Sequence, residues 1–240
     1  MNINAENIPY KTLNEQVRTS PDRDVTIEGC LGQRFIAAGL SDKHITIRGV
    51  PGNALGAYLN GAGVEVYGNA QDAVGDTMNA GEIVIHGSAG DTAGYAMRGG
   101  KIFVEGSAGY RAGIHMKAYE DRHPVLVIGG TAGSFLGEYQ AGGTIIVLGR
   151  GAGGEPPVGY FCGTGMHGGR ILLRCKKPPC DLPRQVIAQK AGDEELREFL
   201  PYLEEYCQRF GASLNEILDA DFYLLTPDTK NPYKQLYTHN

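Results

Sequence analysis

No stretch of this chain reaches the roughly 18 consecutive apolar residues of a membrane-spanning helix, so none is expected. The first residues, Met1-Asn2-Ile3-Asn4-Ala5-Glu6, have neither the basic nor the apolar region of a secretory signal. Five cysteines (Cys30, Cys162, Cys175, Cys180, Cys207) are an odd count and include no C-x-x-C. That argues against a disulfide framework; free thiols in a reducing compartment, with the cytoplasm as default, are expected. No G-x4-G-K-[ST] phosphate loop occurs. Positive charge is not in excess either: 22 Lys and Arg stand against 27 Asp and Glu, net −5. The overall balance gives no reason to expect nucleic acid or an anionic membrane as a partner.

What the chain has in plenty is glycine, 36 of 240 residues, about twice the usual share. The excess belongs to a repeat. Alternating β-branched strands closed by glycine recur as Val25-Thr26-Ile27-Glu28-Gly29, Ile45-Thr46-Ile47-Arg48-Gly49, Val64-Glu65-Val66-Tyr67-Gly68 and Ile83-Val84-Ile85-His86-Gly87. They continue as Ile102-Phe103-Val104-Glu105-Gly106, Val125-Leu126-Val127-Ile128-Gly129 and Ile145-Ile146-Val147-Leu148-Gly149. From Gly29 the closing glycines advance by 20, 19, 19, 19, 23 and 20 residues. Gly56, Gly75, Gly94 and Gly113 each follow a closing glycine by seven residues, with Gly137 and Gly159 somewhat later after insertions. Such corners suit glycine, which reaches positive φ without steric cost.

A fixed period of about 20 residues predicts a solenoid. Residues two and four before each closing glycine are Val or Ile in all seven repeats. With a side-chain period of two they share one face, which is read as the interior. Successive strands run in the same direction, and parallel crossovers are nearly always right-handed. The expected fold is therefore all-β: a single-stranded, right-handed parallel β-helix of about seven to eight coils, capped at the N-terminus and followed by a helical tail. Seven rungs at ~4.8 Å would span roughly 30–35 Å. Expected divisions are 1–24 as the cap, 25–175 as the β-helix and 176–240 as linker and helical tail.

The cap contains a short helix around Leu13–Arg18. In the tail Leu196, Phe199, Leu200, Leu203, Tyr206, Cys207 and Phe210 recur at helical spacings. Asp193-Glu194-Glu195 suits a helix start and Gly211 an end, while Pro201 should kink or split the helix. Outward strand positions turn from polar (Thr26, Glu28, Thr46, Arg48) to apolar along the rod. Val84, Phe103, Leu126, Ile128, Ile146 and Leu148 form the candidate interface, a patch too large for a monomer to leave bare. Two covers are open: the chain's own tail helix, or another subunit, self-association included.

Reaction chemistry is hard to find. Gly149-Arg150-Gly151-Ala152-Gly153-Gly154 matches G-x-G-x-x-G after a strand, but Glu155-Pro156-Pro157-Val158 stands where a dinucleotide site needs a helix. The six histidines form no metal pattern, and Met78, Met97 and Met116, 19 residues apart, are read as packing. Cys162 lies in a glycine-rich turn with no base beside it in sequence. No catalytic, cofactor-binding or metal-binding residue is assigned.

The element Gly87-Ser88-Ala89-Gly90-Asp91-Thr92-Ala93-Gly94, repeated as Gly106-Ser107-Ala108-Gly109-Tyr110-Arg111-Ala112-Gly113, resembles the GXGXG domain of the glutamate synthase large subunit. Gly52–Leu59, Gly68–Gly75 and Tyr139–Gly149 are similar to its other coils, and the resemblance covers roughly residues 13–175. The fold also occurs in subunits of formylmethanofuran dehydrogenase and N-methylglutamate synthase. The resemblance implies a right-handed β-helix without cofactor or catalytic residue. It implies partners as well: a glutamine amidotransferase subunit, and a glutamate synthase subunit carrying FMN and iron–sulfur. The chain is accordingly read as a non-catalytic scaffold subunit of a split glutamate-synthase-type enzyme in glutamate biosynthesis and nitrogen metabolism. A free-standing ligand-binding β-helix is the rival from another class.

Overall fold

The computed structural model describes residues 1–228. Eight strands carry the repeat: β2 (Asp24–Leu31), β3 (His44–Val50), β4 (Asn60–Tyr67), β5 (Ala80–Ile85), β6 (Lys101–Val104), β7 (Val125–Ile128), β8 (Ala141–Val147) and β9 (Gly168–Arg174). Each pairs in parallel with the next, Ile27↔Ile47, Ile47↔Val66, Val66↔Ile85 and Ile85↔Val104 being successive partners. Before them lie β1 (Asn2–Asn4), which pairs in parallel with β2, and α1 (Tyr10–Thr19), which buries Leu13 and Val17. After them come β10 (Val186–Lys190), α2 (Asp193–Arg197), α3 (Leu200–Phe210), α4 (Leu214–Leu218) and β11 (Phe222–Pro227).

The expected all-β, single-stranded, right-handed parallel β-helix needs correction. The strands form one large open sheet of eleven, ordered β1-β2-β3-β4-β5-β6-β7-β8-β9-β11-β10. It is mixed, because β11 runs antiparallel to both β9 and β10, and four helices accompany it. The cause lies in the composition of each repeat. Its branched aliphatics fall in one short segment, whereas the remainder is rich in glycine and in left-handed backbone and builds turns. Outside the sheet, neighbouring repeats meet through isolated parallel bridges, Ala70↔Ala89, Ala89↔Ala108, Ala108↔Ala132 and Ala132↔Val158. The tail, read from its sequence as linker and helix, supplies the two antiparallel strands.

The main core fills the space between one face of the sheet and the turn segments. Strand residues such as Ile27, Ile47, Val66, Ile85 and Val104 pack there with Leu55, Val74, Met78, Met97, Met116 and Leu136. Glycine suits the turn that faces them. Gly56 (φ +65°) and Gly75 (φ +67°) are left-handed, and a Cβ on either would lie 2.5 Å from Cδ1 of Ile83 or Ile102. Pro201 divides the tail helix as expected, standing at the start of α3, and left-handed Gly211 (φ +64°) closes it.

Candidate functional site

The opposite face of the sheet turns apolar in its later strands, and the tail seals that part. Val84, Phe103, Ile146 and Leu148 lie under Phe199, Leu203, Tyr206 and Ile217 in a second core cluster, joined by Leu172 and Phe222. Leu126 and Ile128, placed on this outer stripe by sequence, point the other way. They pair with Ile102 and Val104 and belong to the main core, while Val125 and Val127 take the outward positions. The physical reason is a one-residue slip, which in a strand exchanges the two faces. Gly130, not Gly129, is the closing glycine: its N–H donates to Gly106 O at 2.7 Å, as Gly106 N–H donates to Gly87 O. The signal was present in sequence, since Gly137 follows Gly130 by the same seven residues seen in the other repeats.

Polar contacts fix the tail in place. Tyr206 Oη donates to Glu105 O and accepts from Arg150 Nη1, each at 3.1 Å. Lys101 Nζ donates to Glu205 Oε2 at 2.6 Å, and Arg209 pairs with Glu82 and Glu205. Burial would raise Glu205, but hydrogen bonds from Lys101 and its neighbours hold the carboxyl below its ordinary value; Glu82 is raised by burial and by the adjacent Glu205. Arg174 Nε and Nη2 donate to the carbonyls of Ile217 and Glu216, the unsatisfied acceptors at the end of α4. His86 stacks on Tyr67 (4.5 Å), meets Phe210 edge-on and contacts Glu65 at 2.9 Å.

The other chemical candidates do not converge. Gly149–Gly154 passes into turns, not a helix, and lines an open groove of about 730 Å³ with Arg174, Lys176, Asp219 and Asp221. Cations and carboxylates share its walls, so no single ligand charge is favoured. Cys162 is fully buried, and burial pushes its thiol up to about 12; Cys30 and Cys175 are raised to about 11 for the same reason. None of these three is a nucleophile at neutral pH. Met78, Met97 and Met116 are completely buried core residues. Among the described residues no three His, Cys, Asp or Glu side chains are grouped to hold a metal ion. No helix there is long and apolar enough to cross a membrane. His239 and the end of the tail lie outside the described residues.

What stays open is the outer edge of the turns in the later repeats, which sequence reasoning passed over. His115 stacks on Tyr139 (5.2 Å) and meets Tyr95 edge-on, Phe135 stacks on Phe161 (5.2 Å), and Arg111 lies over the Phe135 ring while pairing with Glu138 at 3.0 Å. Each of Arg111, His115, Phe135, Tyr139 and Phe161 has positive φ.

This combination of a glycine-punctuated repeat, one strand per repeat and a sealed tail matches a known protein family. The profile of the GXGXG motif family aligns with residues 12–227. The chain belongs to the GXGXG motif family. An uncharacterized protein of Methanocaldococcus jannaschii is 45% identical over 249 aligned positions, spanning 98% of this chain and 95% of that one. Among solved structures, a chain of the formyltransferase/hydrolase complex from Methylorubrum extorquens, crystallised with methylofuran, shares the fold. Its TM-score is 0.62 at 22% identity, over 92% of this GXGXG chain and 89% of that one.

Proposed function

We propose that this GXGXG protein is a non-catalytic scaffold subunit of a multi-subunit, glutamate-synthase-type enzyme. In this reading it holds a glutamine amidotransferase subunit and an FMN and iron–sulfur synthase subunit, so that ammonia passes between them unreleased. The observation that carries the reading is the family match across residues 12–227. It is supported by what the residues do: the branched aliphatics, the methionines and the most buried thiols pack the interior, and the outward apolar patch is spent on the chain's own tail. Stacked, tightly bonded repeats make a stiff body, which suits positioning other subunits. Turnover tests it. The isolated chain should form no glutamate from glutamine and 2-oxoglutarate under a reductant, whereas the assembly that contains it should. Glutamate formation by the isolated chain would overturn the non-catalytic role.

A second reading has its own support. The structural likeness to a chain of a formyltransferase/hydrolase complex extends over nearly the full length of both proteins. The same scaffold role would then serve formyl-group chemistry, and formyltransferase activity of the native assembly, without glutamate formation, would favour it.

A further inference from the structure

The later repeats present a second large apolar surface, and no part of the described chain covers it. At equivalent turn positions the first repeat carries Phe35, which meets Tyr10 of α1 at 6.1 Å, the next three Ala54, Ala73 and Thr92, and the later ones Arg111, Phe135 and Phe161. A parallel column runs from Tyr58 through Thr77 and Ala96 to His115 and Tyr139, so that within these columns neighbouring aromatics stack on one another only in the later repeats. All sit on left-handed backbone, and all but Phe161 are held by an N–H bond to the following repeat, as from Phe135 N to Tyr160 O (2.8 Å) and Tyr139 N to Thr164 O (2.7 Å). Bulky side chains in that conformation are strained, and such strain gathers at functional sites. The fold has even made room for one ring: a Cβ on Gly165 would lie 2.4 Å from the Tyr139 ring.

We infer that this aromatic turn face is the docking surface for a different protein subunit, one with an apolar centre bordered by lysine or arginine side chains. The inference rests on the scaffold reading and says where that scaffold is gripped. Tyr95, Tyr110, Tyr139, Tyr160 and Phe161 are 38–70% exposed. At ~150–250 Å² per aromatic side chain they offer on the order of 500 Å² of apolar contact. That is more than half of the ~800 Å² each partner contributes to a standard interface, and tyrosine and arginine are the residues that concentrate binding energy. Both ends of the face are acidic: Asp91, whose Oδ1 accepts from Tyr110 N, marks one end, and Asp181, whose Oδ2 accepts from Phe161 N, marks the other. Arg111, a cation of this face, is already engaged by Glu138. A second copy turned head-to-tail would set carboxylate against carboxylate, whereas a basic-rimmed partner is complementary.

The test uses the native assembly, recovered through a tag on the full chain, and two exposed substitutions, Tyr110→Ala and Tyr160→Ala. Each should leave the melting temperature of the chain unchanged and weaken one partner's affinity about tenfold or more, with Tyr160→Phe restoring it. Hydroxyl-radical footprinting should find Tyr110 and Tyr160 oxidised in the isolated chain and protected in the assembly. An intact assembly with both tyrosines still reactive and affinities unchanged overturns this face while leaving the scaffold reading standing. Protection by a second copy of the same chain overturns the choice of partner. A chain recovered alone overturns both readings.

Discussion

Replacing Phe103 with alanine probes the seal between sheet and tail. Phe103 is fully buried at the centre of the second core cluster, between Val84 and Val127 in register and beneath the tail helices. Losing a buried phenyl ring removes its transfer free energy and leaves a cavity, costing about 3–5 kcal/mol. For a chain of this size each kcal/mol lowers the melting temperature by roughly 2–4 °C, so a fall of ~6–20 °C is expected. Phe103→Asp should do more, because an unpaired carboxylate cannot remain in that cluster and the tail must lift from it. Thermal melts by circular dichroism give the size of the effect. Hydrogen exchange gives its place, with α3 and α4 exchanging faster and β2 to β4 unaffected. Wild-type melting and exchange in Phe103→Asp would refute the packing argument outright.

Gly129→Ala should be as damaging as a core truncation, since its Cβ would lie 1.9 Å from Tyr206 Oη and 2.2 Å from Glu105 O; a variant that melts like wild type would contradict the close approach. Tyr206→Phe removes the bonds to Glu105 O and Arg150 and should cost ~1–2 kcal/mol in denaturant titration. At neutral pH a thiol reagent should modify exposed Cys180 first and half-buried Cys207 slowly, while Cys30, Cys162 and Cys175 wait for unfolding; a fast third thiol counts against their burial. Glu205→Gln weakens the partly exposed clamp to Lys101 by ~0.5–1 kcal/mol. Because Glu205 is depressed in the fold, its contribution is present above the unfolded carboxylate value and lost as pH falls through the folded one; wild type and variant should therefore converge in acid, and a constant gap would contradict this.

Much of the repeat was legible because its signals are local. Alternation at Val25 and Ile27, Ile45 and Ile47, or Ile83 and Ile85 fixes which face is buried, and glycine spacing fixes where the chain turns. Ser213, whose Oγ accepts from Glu216 N at 3.3 Å, and Gly211 mark helix ends as such residues usually do. The reading failed where one residue decides the face: choosing Gly129 over Gly130 reversed Leu126 and Ile128. It failed again where pairing is long-range. Val186–Lys190 and Phe222–Pro227 are short segments whose strand character comes from docking against β9 and each other. The expectation of a β-helix closed each repeat into a coil around its strand, whereas the strands join one open, mixed sheet and the glycine-rich part yields turns and single bridges. The aromatic face was invisible because left-handed backbone at His115 or Phe135 is imposed by the neighbouring repeat, not by those residues' own preferences.

The scaffold role is tested most directly by purifying the full-length chain under a tag from its own cells and measuring what travels with it. The account predicts stoichiometric partner subunits, flavin absorbance and iron–sulfur signal lost when those partners are stripped away, and glutamate formation only while they are bound. A chain that elutes alone, or that turns over glutamine and 2-oxoglutarate without company, would contradict it.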